Sequence, residues 1–287
     1  MRSAGETSAP DTAEEEARLQ KRLDSIRRKI IVLSGKGGVG KSTVAANLAL
    51  SLARSGTATG LLDIDLHGPS VPVMLGLAGT RLHQEDGLIV PARLGSLKVM
   101  SIGLLIAESD QAVVWRGPLK HTAIRQFLAD VAWGELEYLV IDSPPGTGDE
   151  ALSILHLIGS TDGAVIVTTP QRLAVADVRR CITFCRMLSL DILGVVENMS
   201  GFVCPRCSGT VDIFKTGGGE EMAENMDVPF LGTIPLDPAV VAAADEGRPL
   251  GSATGCEVTG KSFRCIAEKV KRYFQSTHAE KTKGDVT

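Results

Sequence analysis

The chain has 287 residues, 44% of them hydrophobic, with 30 Lys and Arg against 34 Asp and Glu and a formal net charge of −4. This composition supports a large core and excludes wholesale disorder, and the charge excludes a protein that coats nucleic acid without specificity. Aromatic residues at 4% argue against a stacking platform for single strands, no apolar run is long enough to cross a bilayer, and six cysteines are too few for a disulfide scaffold.

The opening MRSAGETSAPDTAEEEAR lacks the apolar stretch of a signal peptide, so a cytoplasmic protein is expected. Residues 1–12 are small, polar and acidic and are expected to be disordered. Residues 13–28 alternate charges around a sparse stripe of Leu19, Leu23 and Ile26, the pattern of a short surface helix. Together they form an N-terminal extension, residues 1–28. Apolar runs of strand length come next, at Ile30–Ser34, Thr59–Ile64, Tyr138–Asp142, Ala164–Thr168, Leu193–Glu197 and Phe230–Ile234. Helical patterns lie between most of them, at Thr43–Arg54, Leu119–Val131, Asp149–Ile158, Ala174–Leu188 and Glu220–Met226. Strands apolar throughout and separated by helices indicate an α/β fold, a doubly wound, mainly parallel sheet with helices on both faces. Residues 87–102 break the rhythm and are expected to form a β-hairpin inserted on the surface. Residues 257–274 read as a closing helix and 275–287 as a flexible tail, which makes 29–274 a single domain.

The strongest motif is Gly35-Lys36-Gly37-Gly38-Val39-Gly40-Lys41-Ser42-Thr43, which follows an apolar strand and opens a helix. That is the context of a P-loop, whose backbone N–H groups curl around phosphate oxygens at a helix N-terminus. Lys41 then reaches the β- and γ-phosphates and Ser42 holds Mg²⁺. A P-loop does not need Lys36 for its own phosphates. A lysine there either is solvated or reaches a second nucleotide across a dimer interface, as a cation supplied in trans. Two other strand ends carry carboxylates, Asp63 and Asp65 after the second strand and Asp142 after a later one. Ligands of open α/β sheets sit beyond the carboxyl ends of strands, so Asp142 is placed to bind Mg²⁺ through water. Asp63 and Asp65 alternate across the strand, and Asp65, further out, is the better candidate to orient an attacking water. Gly146 and Gly148 suit a loop that senses the γ-phosphate, with Pro144-Pro145 stiffening it. No glutamate directly follows Asp142, so hydrolysis is expected to be slow and switch-like.

Cys204-Pro205-Arg206-Cys207 supplies two thiolates from a loop, half of a tetrahedral site. It suits a redox pair, an incomplete zinc site, or a site completed by a second copy across a two-fold axis. Four thiolates fit zinc or an iron–sulfur cluster equally well. Cys181 and Cys185 share a helix face and read as packing residues; Cys256 and Cys265 have no ligand-like spacing. The five histidines, His67, His83, His121, His156 and His278, are scattered and read as structural or surface residues.

Gly35–Thr43 resembles the deviant Walker A motif of the ParA/MinD class of P-loop ATPases, whose signature residue is the early lysine, here Lys36. Within that class the chain resembles the Mrp/ApbC family of iron–sulfur cluster carrier ATPases. The likeness rests on LLDIDLHGPSVPVMLG (61–76), VVWRGPLK (113–120), YLVIDSPPGTGDE (138–150), ENMSGFVCPRC (197–207) and GGGEEMAENMDVPFLGTIPLDP (217–238). It implies a homodimer with ATP at the interface and Lys36 on the partner's nucleotide. By the same resemblance Asp65 positions water, Asp142 is the Walker B acid and Asn198 lies near the adenine. Cys204 and Cys207 would bind a bridging, labile 4Fe–4S cluster, handed between scaffold proteins and apo-proteins under control of ATP. No nucleic-acid or membrane partner is expected. Two alternatives stand beside this reading: a positioning ATPase of the ParA or MinD kind that binds DNA or membrane, and a zinc-stabilised dimer. The first, in its membrane form, would need an amphipathic terminal helix, for which Phe263, Ile266, Val270 and Phe274 are candidates, although burial against the sheet explains the same stripe.

Overall fold

Apolar side chains on both faces of a strand can be buried only in a sheet covered on both sides, and the chain folds accordingly. A computed structural model describes residues 9–65, 68–105, 117–159, 161–204, 207, 209–250 and 255–284. Of the residues and motifs named from the sequence, residues 1–8, Leu66, His67, residues 113–116, Pro205, Arg206 and residues 285–287 lie outside the described residues. In chain order the elements are α1 (Ala9–Asp24), β1 (Ile26–Ser34), α2 (Lys41–Arg54), β2 (Thr59–Asp63), α3 (Val71–Met74), β3 (Gln84–Glu85), β4 (Leu88–Ile89), β5 (Ala92–Leu94), β6 (Leu97–Ser101) and α4 (Gly117–Ala129). Then come β7 (Leu136–Asp142), α5 (Asp149–Ile158), β8 (Gly163–Thr168), α6 (Arg172–Met187), β9 (Ile192–Val203), β10 (Thr210–Val211), α7 (Gly218–Asn225), β11 (Phe230–Leu236), α8 (Pro238–Asp245) and α9 (Glu257–Gly284).

The main sheet runs β10-β9-β8-β1-β7-β2-β6-β5, with β11 also paired to β9. All its pairings are parallel except β9–β10 and β5–β6. Alternation along β1 divides the core. Ile30 and Val32 face a cluster with Val44 and Leu48 of α2 and Phe263, Ile266, Val270 and Phe274 of α9. Ile31 and Leu33 face the opposite cluster, with Leu19 and Leu23 of α1, Phe127 of α4, Ile154 of α5 and Ile182 of α6. This is the expected doubly wound α/β architecture. The apolar stripe of α9 is therefore spent on the core, and no helix among the described residues is long and apolar enough to cross a membrane.

Four local expectations change. The hairpin of residues 87–102 is not a surface insertion: β5 and β6 form it, but β6 pairs in parallel with β2 and buries Leu97, Val99 and Met100 completely. Helix α1 begins at Ala9, inside the stretch expected to be disordered, and Ile26–Arg28 already belong to β1. Helix α9 continues to Gly284, well into the expected tail. Strand β9 runs on past Glu197 to Val203, and its pairing with β11 is irregular there.

Candidate functional site

Strand β1 delivers the chain to the phosphate loop, and α2 receives it. Gly40 caps α2 in a left-handed conformation, φ 80°, and a β-carbon there would lie 2.2 Å from Asn198 Nδ2, so only glycine suits the position. The first-turn N–H groups of α2 have no intrahelical partner and present a partial positive charge to an anion.

The adjacent parallel strands β2 and β7 bring two carboxylates side by side, Asp63 and Asp142 being direct register partners. Lys41 Nζ lies 2.5 Å from Asp142 Oδ1, 3.4 Å from Ser42 Oγ and 3.9 Å from Asp65 Oδ2. Lys41, Ser42, Asp65 and Asp142 thus converge at the mouth of the loop. Asp142 is fully buried, and among the described residues its Oδ2 has no hydrogen-bond partner. A buried, unpaired carboxylate oxygen beside a serine hydroxyl fits a hydrated divalent cation. Asp63 points into the core instead. Its Oδ2 accepts the Ser101 hydroxyl at 2.8 Å and its Oδ1 the Asp65 backbone N–H at 3.1 Å. Burial, reinforced by the Asp142 charge, pushes the Asp63 carboxyl up to about 7. Burial also raises Asp142, with the Lys41 ammonium opposing it.

The segment after Asp142 is fastened to β1. Ser143 Oγ donates to the Val32 carbonyl at 2.7 Å, and the Gly146 N–H donates to the Ser34 carbonyl at 3.0 Å. Lys36 is half-buried in the loop, and its carbonyl accepts the Ser34 hydroxyl at 3.0 Å. Asn198, at the end of the regular part of β9, donates from Nδ2 to the Val39 carbonyl at 2.9 Å, which places it on the phosphate loop itself.

The cysteine pair stands on a different part of the same strand. Beyond Asn198, β9 pairs with β10 in an antiparallel hairpin, closed by the Cys204 N–H donating to the Gly209 carbonyl at 3.0 Å. Cys204 is half-buried and Cys207 exposed. Among the described residues no group of three or more His, Cys, Asp or Glu could hold a metal ion. One chain therefore offers two thiols at a hairpin tip. Cys181 and Cys185 are fully buried on α6, and the Cys185 hydrogen bond together with burial raises the Cys181 thiol, so they are packing residues.

A family model described as ParA, NUBPL iron-transfer P-loop NTPase, matches residues 25–271. The chain belongs to this family. It is accordingly a P-loop NTPase, within an iron-transfer branch of the ParA class. A cytosolic Fe-S cluster assembly factor NUBP2 homolog from Culex quinquefasciatus is 56% identical over 253 residues, 86% of this chain and 98% of the relative. An iron-sulfur cluster carrier protein from Methanocaldococcus jannaschii is 48% identical over 271 residues, 92% of this chain and 93% of the relative. The solved nucleotide-binding protein from Archaeoglobus fulgidus in complex with ADP superposes with a TM-score of 0.71 at 42% identity, covering 82% of this chain and 91% of that one.

Within this iron-transfer NTPase one residue escaped the sequence reading. Glu197 ends a run of apolar residues and is completely buried, and it accepts hydrogen bonds from Ser200, Gly217 and Gly219. A charged residue closing an otherwise apolar strand, with a Gly217-Gly218-Gly219 run beyond it, was the available signal.

Proposed function

We propose that this NTPase binds ATP with Mg²⁺ at Gly35–Thr43 and carries a 4Fe–4S cluster as cargo, held between Cys204 and Cys207 of two copies. The observation that carries this reading is the cysteine hairpin: two thiols on a turn, with no cluster of further ligands among the described residues, in a member of an iron-transfer family. Four thiolates form a complete cluster site, and a two-fold dimer supplies them. Zinc would suit four thiolates as well; relatives named as iron–sulfur carriers and assembly factors favour the cluster.

In this reading the roles of Lys41, Asp65 and Asp142 are supported by their convergence at the loop mouth, and those of Lys36 and Asn198 by the resemblance to the deviant Walker A class. The backbone N–H groups of Gly35, Lys36, Gly37, Gly38, Val39, Gly40, Lys41, Ser42 and Thr43 cradle the phosphates. Lys41 neutralises the β- and γ-oxygens, and its contacts with Asp142 and Asp65 hold it at the loop mouth. Ser42 and, through water, Asp142 hold Mg²⁺, which when bound supplies charge neutralisation at the phosphates. Asp65, anchored through its backbone by Asp63, orients the attacking water. Lys36 reaches the partner's nucleotide, and Asn198 supports the loop near the adenine. The recipients are apo iron–sulfur proteins, the donors cluster scaffold proteins, and the compartment is the cytosol, as in the names of relatives.

Anaerobic reconstitution with iron and sulfide tests the reading. Wild-type protein is expected to retain iron and a coloured cluster, and the Cys204→Ala, Cys207→Ala double variant to lose both. Equal iron in the two proteins would refute the assignment of the cysteines.

A further inference from the structure

We propose that Glu197 is a positioning residue for the cysteine pair, and that with its neighbour Asn198 it ties that pair to the phosphate loop. The inference rests on the proposed binding of nucleotide at the loop and cargo at the cysteines.

A buried carboxylate is costly unless donors surround it. Glu197 is completely buried, and among the described residues no cation pairs with it. Its donors come from both sides of the cysteine hairpin. Oε1 accepts the Ser200 hydroxyl at 2.5 Å and the Gly217 N–H at 2.9 Å, and Oε2 accepts the Gly219 N–H. Ser200 precedes the hairpin; Gly217 and Gly219 come after it and open α7. One carboxylate thus closes the root of the whole segment 200–217. The approach is tight: a β-carbon at Gly219 would lie 3.0 Å from Glu197 Oε2 and from Thr168 Cγ2.

Successive strand residues point to opposite sides. Glu197 faces α7, while Asn198 faces the phosphate loop and donates to the Val39 carbonyl at 2.9 Å. Immediately beyond, β9 becomes irregular. Met199 has φ 56° and Gly201 φ 73°, and the register with β11 slips between the Asn198–Ile234 and Phe202–Leu236 pairs. A β-bulge bends a strand and re-aims the residues beyond it. This bulge lies between the grip on the loop and the two thiols. A shift of the Val39 carbonyl as phosphate seats therefore moves Asn198, and the Glu197 clamp carries that movement to the hairpin root.

Thiol alkylation in the metal-free protein tests this. Cys204 and Cys207 are labelled with iodoacetamide with and without MgATP and their rates read by peptide mass spectrometry, with exposed Cys265 as internal reference. In wild type the rate at the pair, relative to Cys265, is expected to change about fivefold or more with nucleotide, the scale of an ordinary coupling energy. Ser200→Ala and Glu197→Gln should bind nucleotide with wild-type affinity yet alkylate at one rate with or without it. Ser200→Thr, which keeps the hydroxyl, should restore the response. A response intact in both Ser200→Ala and Glu197→Gln, or lacking in wild type, overturns the proposal. Iron content is measured separately, so a failure of the cargo reading leaves this result standing.

Discussion

Lys41 is the residue on which the nucleotide site turns, because its ammonium touches Asp142, approaches Asp65 and lies at the mouth of the loop. Hydrogen bonds to charged groups contribute about 1.5–3 kcal/mol each, so Lys41→Ala should weaken ATP binding about 10- to 100-fold, measured by calorimetry. The same substitution should abolish the ATP effect on cluster transfer at ATP concentrations that saturate wild type but not the variant; identical rates with and without ATP in both proteins would uncouple the loop from delivery. Asp63 makes a second prediction. Its carboxyl is raised to about 7, so between the usual carboxylate range and that value the folded protein keeps a proton the unfolded chain has released. Stability contributed by the neutral carboxyl is present at low pH and is lost as pH rises toward 7. Asp63→Asn stays neutral throughout. Without nucleotide or metal, its melting temperature should fall less than that of wild type between pH 5 and 8, and parallel curves would contradict the protonated state. Lys41, Ser42, Asp65 and Asp142 were legible from motif and strand-end position alone. Glu197 was not, since its role depends on which backbone N–H groups the fold brings to it.

At the level of elements, the strands apolar throughout announced a sheet covered on both faces, and the order of the main helices came with it. What stayed hidden was nonlocal. Leu94-Gly95-Ser96-Leu97 signals a hairpin turn, but nothing local says that β6 pairs with β2, with Leu97 opposite Thr59. A surface hairpin and an integral strand differ in energy. Leu97 is fully buried, so Leu97→Ala should cost about 2–5 kcal/mol in denaturant unfolding. A change within about 0.5 kcal/mol is the expectation for a surface insertion and would contradict the pairing. The extension of α9 to Gly284 was equally hard to see, because its polar last turns carry no apolar stripe. The bulge in β9 is invisible for a related reason. Met199 adopts a left-handed conformation that its residue type does not advertise, between Asn198, bound to the Val39 carbonyl, and Ser200, bound to Glu197.

For the whole molecule, the proposed function gives each chain one phosphate loop and two hairpin thiols, half of a four-thiolate site that a second copy would complete. The dimer should therefore depend on its cargo: mass measured under native, anaerobic conditions should shift toward the dimer on reconstitution. The doubly wound fold was readable in its main strands and helices, whereas the proposed assembly rests on a ligand count. The most direct measurement is the amount of iron and acid-labile sulfide per chain, taken with the native mass of the same reconstituted sample. The expected result is about one 4Fe–4S cluster per two chains, found only in the dimer, as four thiolates per cluster require. A cluster carried by monomers, or a dimer purified without oxygen that holds zinc and no iron, would contradict the shared cysteine site.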